Sequence, residues 1–208
     1  MKRWHRVSIS SLVIALSLVC AGTLVVNQSH VPSEAIASSV TRTPELIERA
    51  WHLPVNGSRC GPAAVANAYR SLGEAARTEG KVLAGTWSCW TGVCIMGLTL
   101  DELANVAQSN TSRKVTVLRD LSENQFLEHL RRSNDPRRRY IVNFDRAHIF
   151  GAGSGHHSPI GGYFEAEDLV FVLDVNFDFQ PWLVERKRLF NAVNTFDGDK
   201  KRGLLFIE

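Results

Sequence analysis

Apolar positions recur at helical spacing in the first half of this chain and at strand spacing in the second. After Cys60-Gly61-Pro62, residues Ala64, Val65, Ala68, Tyr69 and Leu72 keep one helical face. Pro62 suits a first turn and Gly73 a stop, so the spacing predicts a helix that opens at or beside Cys60. Thr99 with Glu102 is a capping box ahead of Leu103, Val106 and Ala107, and Ser122 with Gln125 repeats the device ahead of Phe126, Leu127 and Leu130. Pro44 to Trp51 reads as a short helix. From residue 140 the character changes: Tyr140 to Phe144, Ser158 to Phe164, Leu169 to Val175 and Leu204 to Ile207 read as strands, and Glu165-Ala166-Glu167-Asp168 reads as a polar turn. A helical first half and a sheet-rich second half make an α+β chain, without internal repeats or low-complexity tracts.

The N-terminus stands apart. Lys2, Arg3 and Arg6 precede an uncharged run from Val7 to Val26, a basic flank followed by a membrane-length apolar segment. Residues 1–26 therefore read as a signal peptide or signal anchor, residues 27–41 as a polar linker, and residues 42–208 as the domain. The expected place of that domain is outside the cytoplasm, periplasmic or anchored in an inner membrane, with the membrane touched only through the N-terminal segment. Ala35-Ile36-Ala37 is a cleavage-like site, and the pattern leaves cleavage open.

Hydrophobic content of 44% and charged content of 22% are those of a globular domain. A net charge of +3 gives no argument for nucleic acid. Arg131, Arg132, Arg137, Arg138 and Arg139 cluster around the turn signal Asn134-Asp135-Pro136, without interleaved aromatic residues for base stacking, and read as a solvated loop.

Beyond the leader the cysteines are Cys60, Cys89 and Cys94. In an oxidising compartment an odd count leaves one thiol unpaired. Cys89 and Cys94 are spaced to bridge a local loop as a disulfide, the alternatives being two packed thiols or, more weakly, half of a metal site. Cys60, at a helix N-terminus, would meet unpaired N–H groups and a dipole that favour the thiolate; otherwise it is a small buried hydrophobe. Far downstream, His156 and Asp174 stand eighteen positions apart across the predicted hairpin. Equal arms place them nearly opposite one another, within reach of an imidazole–carboxylate hydrogen bond, but strand register decides whether they share a face. A buried Asp174 in its apolar strand needs a partner. His157 competes with His156, and because neighbours on a strand point to opposite faces, only one is expected in a cleft, leaving the other as a surface histidine. Thiol, imidazole and carboxylate are the parts of a nucleophile, its base and the orienter of that base; no metal site is expected.

These residues resemble the catalytic domain of phytochelatin synthase, a papain-like cysteine transpeptidase acting on glutathione. The likeness is densest in Gly155-His156-His157-Ser158-Pro159-Ile160-Gly161-Gly162-Tyr163, in Leu173-Asp174-Val175 and in Arg202-Gly203-Leu204-Leu205-Phe206-Ile207, with Cys60-Gly61 matching the nucleophile segment. It implies a papain-like fold, a helical lobe carrying the nucleophile against an antiparallel sheet. It also implies Cys60 as nucleophile, His156 as base and Asp174 as orienter. Arg146, Gly155, Asp197 and Arg202 fall on substrate-binding positions, and an arginine fork suits a peptide carboxylate. His157 stands where the family often has an apolar residue. Pro54 replaces the family's oxyanion glutamine, so Asn56 becomes the candidate amide donor.

The resemblance implies cleavage of the Cys–Gly bond of glutathione through a γ-Glu-Cys thioester, passed to water or to a second glutathione. No permanently bound cofactor is expected; a metal–thiolate, such as cadmium or zinc with glutathione, would enter as substrate or activator. A homodimer is compatible with the reading. Two rivals remain: a cysteine peptidase that trims leader peptides, and a non-catalytic thiol or metal–thiolate binding module.

Overall fold

The computed structural model describes residues 59–84 and 97–208. The leader, the linker, the short helix read at Pro44 to Trp51, Pro54, Asn56, Cys89 and Cys94 lie outside the described residues. The elements run α1 (Cys60–Ser71), α2 (Glu79–Leu83), α3 (Leu100–Gln108), β1 (Val115–Leu118), α4 (Glu123–Arg132), β2 (Arg139–Asp145), α5 (Arg146–Phe150), β3 (Gly155–Phe164), β4 (Leu169–Val172), β5 (Trp182–Glu185), α6 (Arg186–Val193), β6 (Phe196–Asp197), β7 (Lys200–Lys201) and β8 (Leu204–Ile207). Six strands form one sheet in the order β1-β8-β2-β3-β4-β5, each neighbouring pair antiparallel, and β6 with β7 makes a separate small hairpin.

Alternation along the central strands divides the core in two. Tyr140, Val142 and Phe144 of β2 and Leu204 and Phe206 of β8 pack with Phe126 and Leu130 of α4 and Leu189, Ala192 and Val193 of α6. The intervening Ile141, Leu205 and Ile207 pack on the opposite side with α1 and α3, through Ala64, Val65, Ala68, Leu103 and Val106. Strands covered on both sides have to read as continuous apolar runs, as Tyr140–Phe144 and Leu204–Ile207 do.

Helix α1 is buried from Cys60 to Tyr69, on nearly every side, which its alanine-rich sequence permits. Gly61 lets α3 approach closely: a Cβ there would stand 3.1 Å from Leu103 Cδ1. Both predicted capping boxes form, Thr99 with Glu102 and Ser122 with Gln125. The predicted strand Leu169 to Val175 is shorter than its apolar run. Strand β4 ends at Val172, and after one further hydrogen bond, from the Leu173 N–H to the Pro159 carbonyl, the chain turns away to seat Asp174. Helices α2, α5 and α6, strands β1 and β5 and the β6–β7 hairpin have no counterpart among the elements predicted from sequence.

The β3–β4 hairpin turns at residues 165–168, as expected, with Asp168 at φ 53°. Its arms are not evenly matched. Tyr163 faces Val170 and Gly162 faces Phe171, but Ile160 faces Val172, so one extra residue, Gly161, bulges from β3. A Cβ on Gly161 would stand 2.5 Å from Phe171 Cδ1 and 3.2 Å from Leu173 Cγ, so glycine alone fits there.

Candidate active site

Four elements converge on the thiol. Cys60 opens α1, where first-turn N–H groups have no intrahelical partner, and the N-cap residue Arg59 supplies no side-chain cap. Among the described residues Cys60 is the one cysteine; its thiol is free and buried. Behind it Arg59 lies 3.7 Å from the buried carboxylate of Glu79.

His156 and Asp174 meet. Asp174 Oδ1 accepts from His156 Nε2 at 2.8 Å and from the Asn176 backbone N–H at 2.9 Å, while Oδ2 accepts from Trp182 Nε1 at 2.9 Å. The carboxylate is fully buried, and these partners answer its desolvation. Burial alone would push it up, but the charge of His156, its hydrogen bond and the Arg146 charge hold it below the usual carboxylate range. Phe144 sets its ring against His156 edge-on, with centroids 5.6 Å apart, and Trp182 packs in turn on Phe144.

His157 is not on the surface. It is 4% exposed, and its Nδ1 lies 3.9 Å from Cys60 Sγ. The expectation that only one of the neighbouring histidines would belong to the site is thus corrected. Their side chains do leave β3 on opposite faces, His156 opposite Phe144 and His157 opposite Asn143, yet Cys60 sits where both imidazoles act on it. Burial alone would raise the thiol; the charge of His156 and hydrogen bonds with His156 and His157 overcome it, and the thiol lies well below its ordinary value. His156 is raised: burial pulls it down, as does Arg146, and the carboxylate of Asp174 together with Cys60 prevails. A depressed thiol beside an elevated imidazole is the condition for a thiolate–imidazolium pair, whose titrations belong to the pair.

Arg146, the first residue of α5, reaches the same imidazole. Its Nη2 lies 2.7 Å from His156 Nδ1, and its guanidinium lies 4.8 Å from the centre of the Phe179 ring. With Nε2–H given to Asp174, Nδ1 accepts from the arginine. A protonated Nδ1 could not, so this contact and the imidazolium exclude one another.

The remaining expected residues form a second cluster. Arg202 is buried rather than exposed: its Nη1 donates to Asn143 Oδ1 at 2.8 Å and stands 3.4 Å from Asp197 Oδ2, and its Nε donates to Thr195 Oγ1 at 3.1 Å. A Cβ on Gly155 would collide with that guanidinium, so the glycine makes room for it. Asn143, which also donates to Asp197 at 3.1 Å, is cross-strand partner to His157 and joins the two clusters. Sequence reasoning singled out neither Asn143 nor Trp182; a polar residue in the apolar run of β2 was the available signal for the first. Among the described residues no group of three or more His, Cys, Asp or Glu side chains could hold a metal ion.

A family model described as phytochelatin synthase matches residues 26–204. A glutathione gamma-glutamylcysteinyltransferase of Lotus japonicus is 41% identical over 61 residues, 29% of this chain and 13% of the relative. The corresponding protein of Schizosaccharomyces pombe is 26% identical over 117 residues, 54% of this chain and 28% of the relative. The matched part is thus under a third of these relatives' length. Among solved structures, the peptidase domain of Streptococcus ComA, a bi-functional ABC transporter involved in a quorum-sensing pathway, superposes with TM-score 0.52 at 14% identity, covering 76% of this chain and 96% of that one. A putative C39-like peptidase from Bacillus anthracis gives TM-score 0.54 at 11% identity, covering 77% and 95%. At such identities the likeness is one of fold: an α+β, papain-like peptidase architecture.

Proposed function

Since the chain belongs to the phytochelatin synthase family, we propose that it is a glutathione gamma-glutamylcysteinyltransferase-like cysteine peptidase, with Cys60 as nucleophile, His156 as base and Asp174 as orienter. The observation that carries this reading is a buried, depressed thiol at a helix N-terminus, coupled to an imidazole that Asp174 holds at 2.8 Å. The Cys60 thiolate attacks the carbonyl carbon of the Cys–Gly amide. The developing oxyanion is met by N–H groups at the start of α1. The amide C–N bond breaks, glycine leaves with a proton from His156, and γ-Glu-Cys remains on sulfur as a thioester. Water, or the amine of a second glutathione, gives its proton to His156 and releases γ-Glu-Cys or a short phytochelatin. Arg202, ordered by Asn143 and Asp197 beside Gly155, is the fork for a substrate carboxylate, and Arg146 is a second cation for the same use.

Incubating the purified protein with glutathione should yield γ-Glu-Cys and glycine by mass analysis, and Cys60→Ser should abolish both products. Equal glycine release by the serine variant would remove Cys60 from the chemistry. Parallel incubations with cadmium or zinc test whether a metal–thiolate is substrate or activator, and longer products report transfer rather than hydrolysis. The peptidase folds of the solved neighbours favour one second reading, cleavage of a longer peptide by the same residues. Cleavage of a peptide library by a protein inert towards glutathione would select it.

The reading includes export, on the basic flank Lys2, Arg3 and Arg6 ahead of the apolar Val7 to Val26 segment. A C-terminal alkaline phosphatase fusion should be active in a bacterial host; activity of a cytoplasmic reporter alone would place the domain inside.

A further inference from the structure

We propose that His157 is a second imidazole on the nucleophile: it donates Nδ1–H to Cys60 Sγ and holds the thiolate of the free enzyme, while His156 serves as the proton carrier. The inference rests on Cys60 being the nucleophile, as proposed above.

Three observations carry it. First, His157 Nδ1 is 3.9 Å from Cys60 Sγ, within range of an N–H···S hydrogen bond. A thiolate can only accept, so the nitrogen facing it must carry the hydrogen. Second, in the arrangement seen here His156 Nε2 is on Asp174 at 2.8 Å and Nδ1 is on Arg146 at 2.7 Å, so His156 takes up the thiol proton only by giving up the Arg146 contact. Third, His157 Nε2 is buried without a hydrogen-bond partner among the described residues. An unpartnered ring nitrogen is a standing cost that an apolar side chain of like size would avoid. Packing alone therefore does not explain an imidazole here, whereas contact with the sulfur does.

The division of labour follows from proton bookkeeping. The proton that leaves Cys60 goes to His156 Nδ1 in place of the Arg146 contact, and His156 later delivers it to the departing amine. His157 neither takes nor gives that proton, because its Nδ1–H is already spent on sulfur. The charged and titratable groups in reach are His156 and His157 from β3, Asp174 beyond β4, Arg146 from α5, Arg202 with Asp197 near the C-terminus, and Arg59 with Glu79 at the foot of α1. Of these side chains, His157 is the one whose ring nitrogen stands at 3.9 Å from the sulfur with no carboxylate or guanidinium on it.

The test is the pH profile of Cys60 alkylation by iodoacetamide in the reduced, full-length protein, with the labelled cysteine located by peptide mapping. His157→Leu and His157→Gln are compared because they are similar in size and differ in having an N–H donor. His157→Leu should alkylate at least about tenfold more slowly near pH 6, since a hydrogen bond to a charged acceptor is worth a pKa unit or more. His157→Gln should recover much of the difference, and both should approach the parent rate at alkaline pH. Superimposable profiles for parent and His157→Leu, or equal shifts in both variants, would overturn the proposal. If both variants melt early, the imidazole nitrogen NMR signals of the parent decide: a hydrogen on His157 Nδ1 at a pH where Cys60 is thiolate supports the proposal, and a bare Nδ1 overturns it. Alkylation needs no glutathione, so a failed substrate assay leaves this result standing, and a failed alkylation shift leaves the substrate assay standing.

Discussion

His156→Ala should lose turnover of glutathione by about 10³-fold or more while remaining folded, because it removes the one group proposed to carry the proton from sulfur to the leaving amine. The imidazole packs edge-on against Phe144 and bonds Asp174, so a cavity and an unpaired buried carboxylate remain, and thermal unfolding must be measured beside the rate. Asp174→Asn separates orientation from proton transfer. His156 is raised chiefly because the carboxylate opposes the effect of burial. Without it the imidazolium loses its proton at lower pH, so the alkaline limb of the pH–rate profile should move down. Cys60, held low partly by the charge of His156, should move up, and the acid limb with it. The active window of Asp174→Asn should thus narrow from both sides. A folded His156→Ala variant with parental turnover, or an Asp174→Asn profile superimposable on the parent's, would dismantle the assignment.

The second large effect is expected far from the reacting atoms. Gly161→Ala puts a Cβ 2.5 Å from Phe171 Cδ1 and 3.1 Å from its Cε1, closer than real side chains come. Phe171 is buried in the hairpin and cannot swing aside into solvent, so β4 must shift or the bulge must close. Overpacking of this kind costs about 1–3 kcal/mol. The functional loss should be larger. Asp174 is placed by this register, and a misplacement of about 1 Å in a catalytic group can cost around 10²-fold. The expected result is a melting temperature lowered by a few degrees with turnover reduced about 10²-fold. Parental turnover with an unchanged melting temperature would show that the bulge does not set the site.

The separation of roles by chain position was legible without coordinates. Helix α1, Cys60–Ser71, follows from alanine and valine spacing around Pro62, which suits its first turn, and from Gly73, which stands just past its C-cap Leu72. Capping boxes are local, four-residue devices, and both formed as read. Strands β2 and β8 announce themselves as apolar runs because both of their faces are covered. The weaker elements were missed for matching reasons. Strand β1 is only half-buried, β5 fully buries only Trp182 and Val184 of its four residues, and β6 and β7 are too short to show a period.

Sequence by itself determined the chemical inventory of the site: one thiol at a helix start, two neighbouring histidines, and an acid in an apolar stretch that has to find a partner. Tertiary structure decided which of them meet. With an even hairpin, Asp174 would face Pro159 and share the side of β3 from which His157 projects. The extra residue at Gly161 brings Leu173 opposite Pro159, where its N–H donates to the proline carbonyl at 2.9 Å, and moves Asp174 to the side of His156. Strand side chains alternate with a period of two, so a one-residue slip exchanges faces completely. No local pattern records that slip. It follows from Phe171 and Leu173 packing over a residue without a Cβ, which is a contact between strands. The burial of His157 against Cys60 was hidden in the same way. Alternation correctly assigned the two histidines to opposite faces, but the thiol enters from α1 at a place where both reach it.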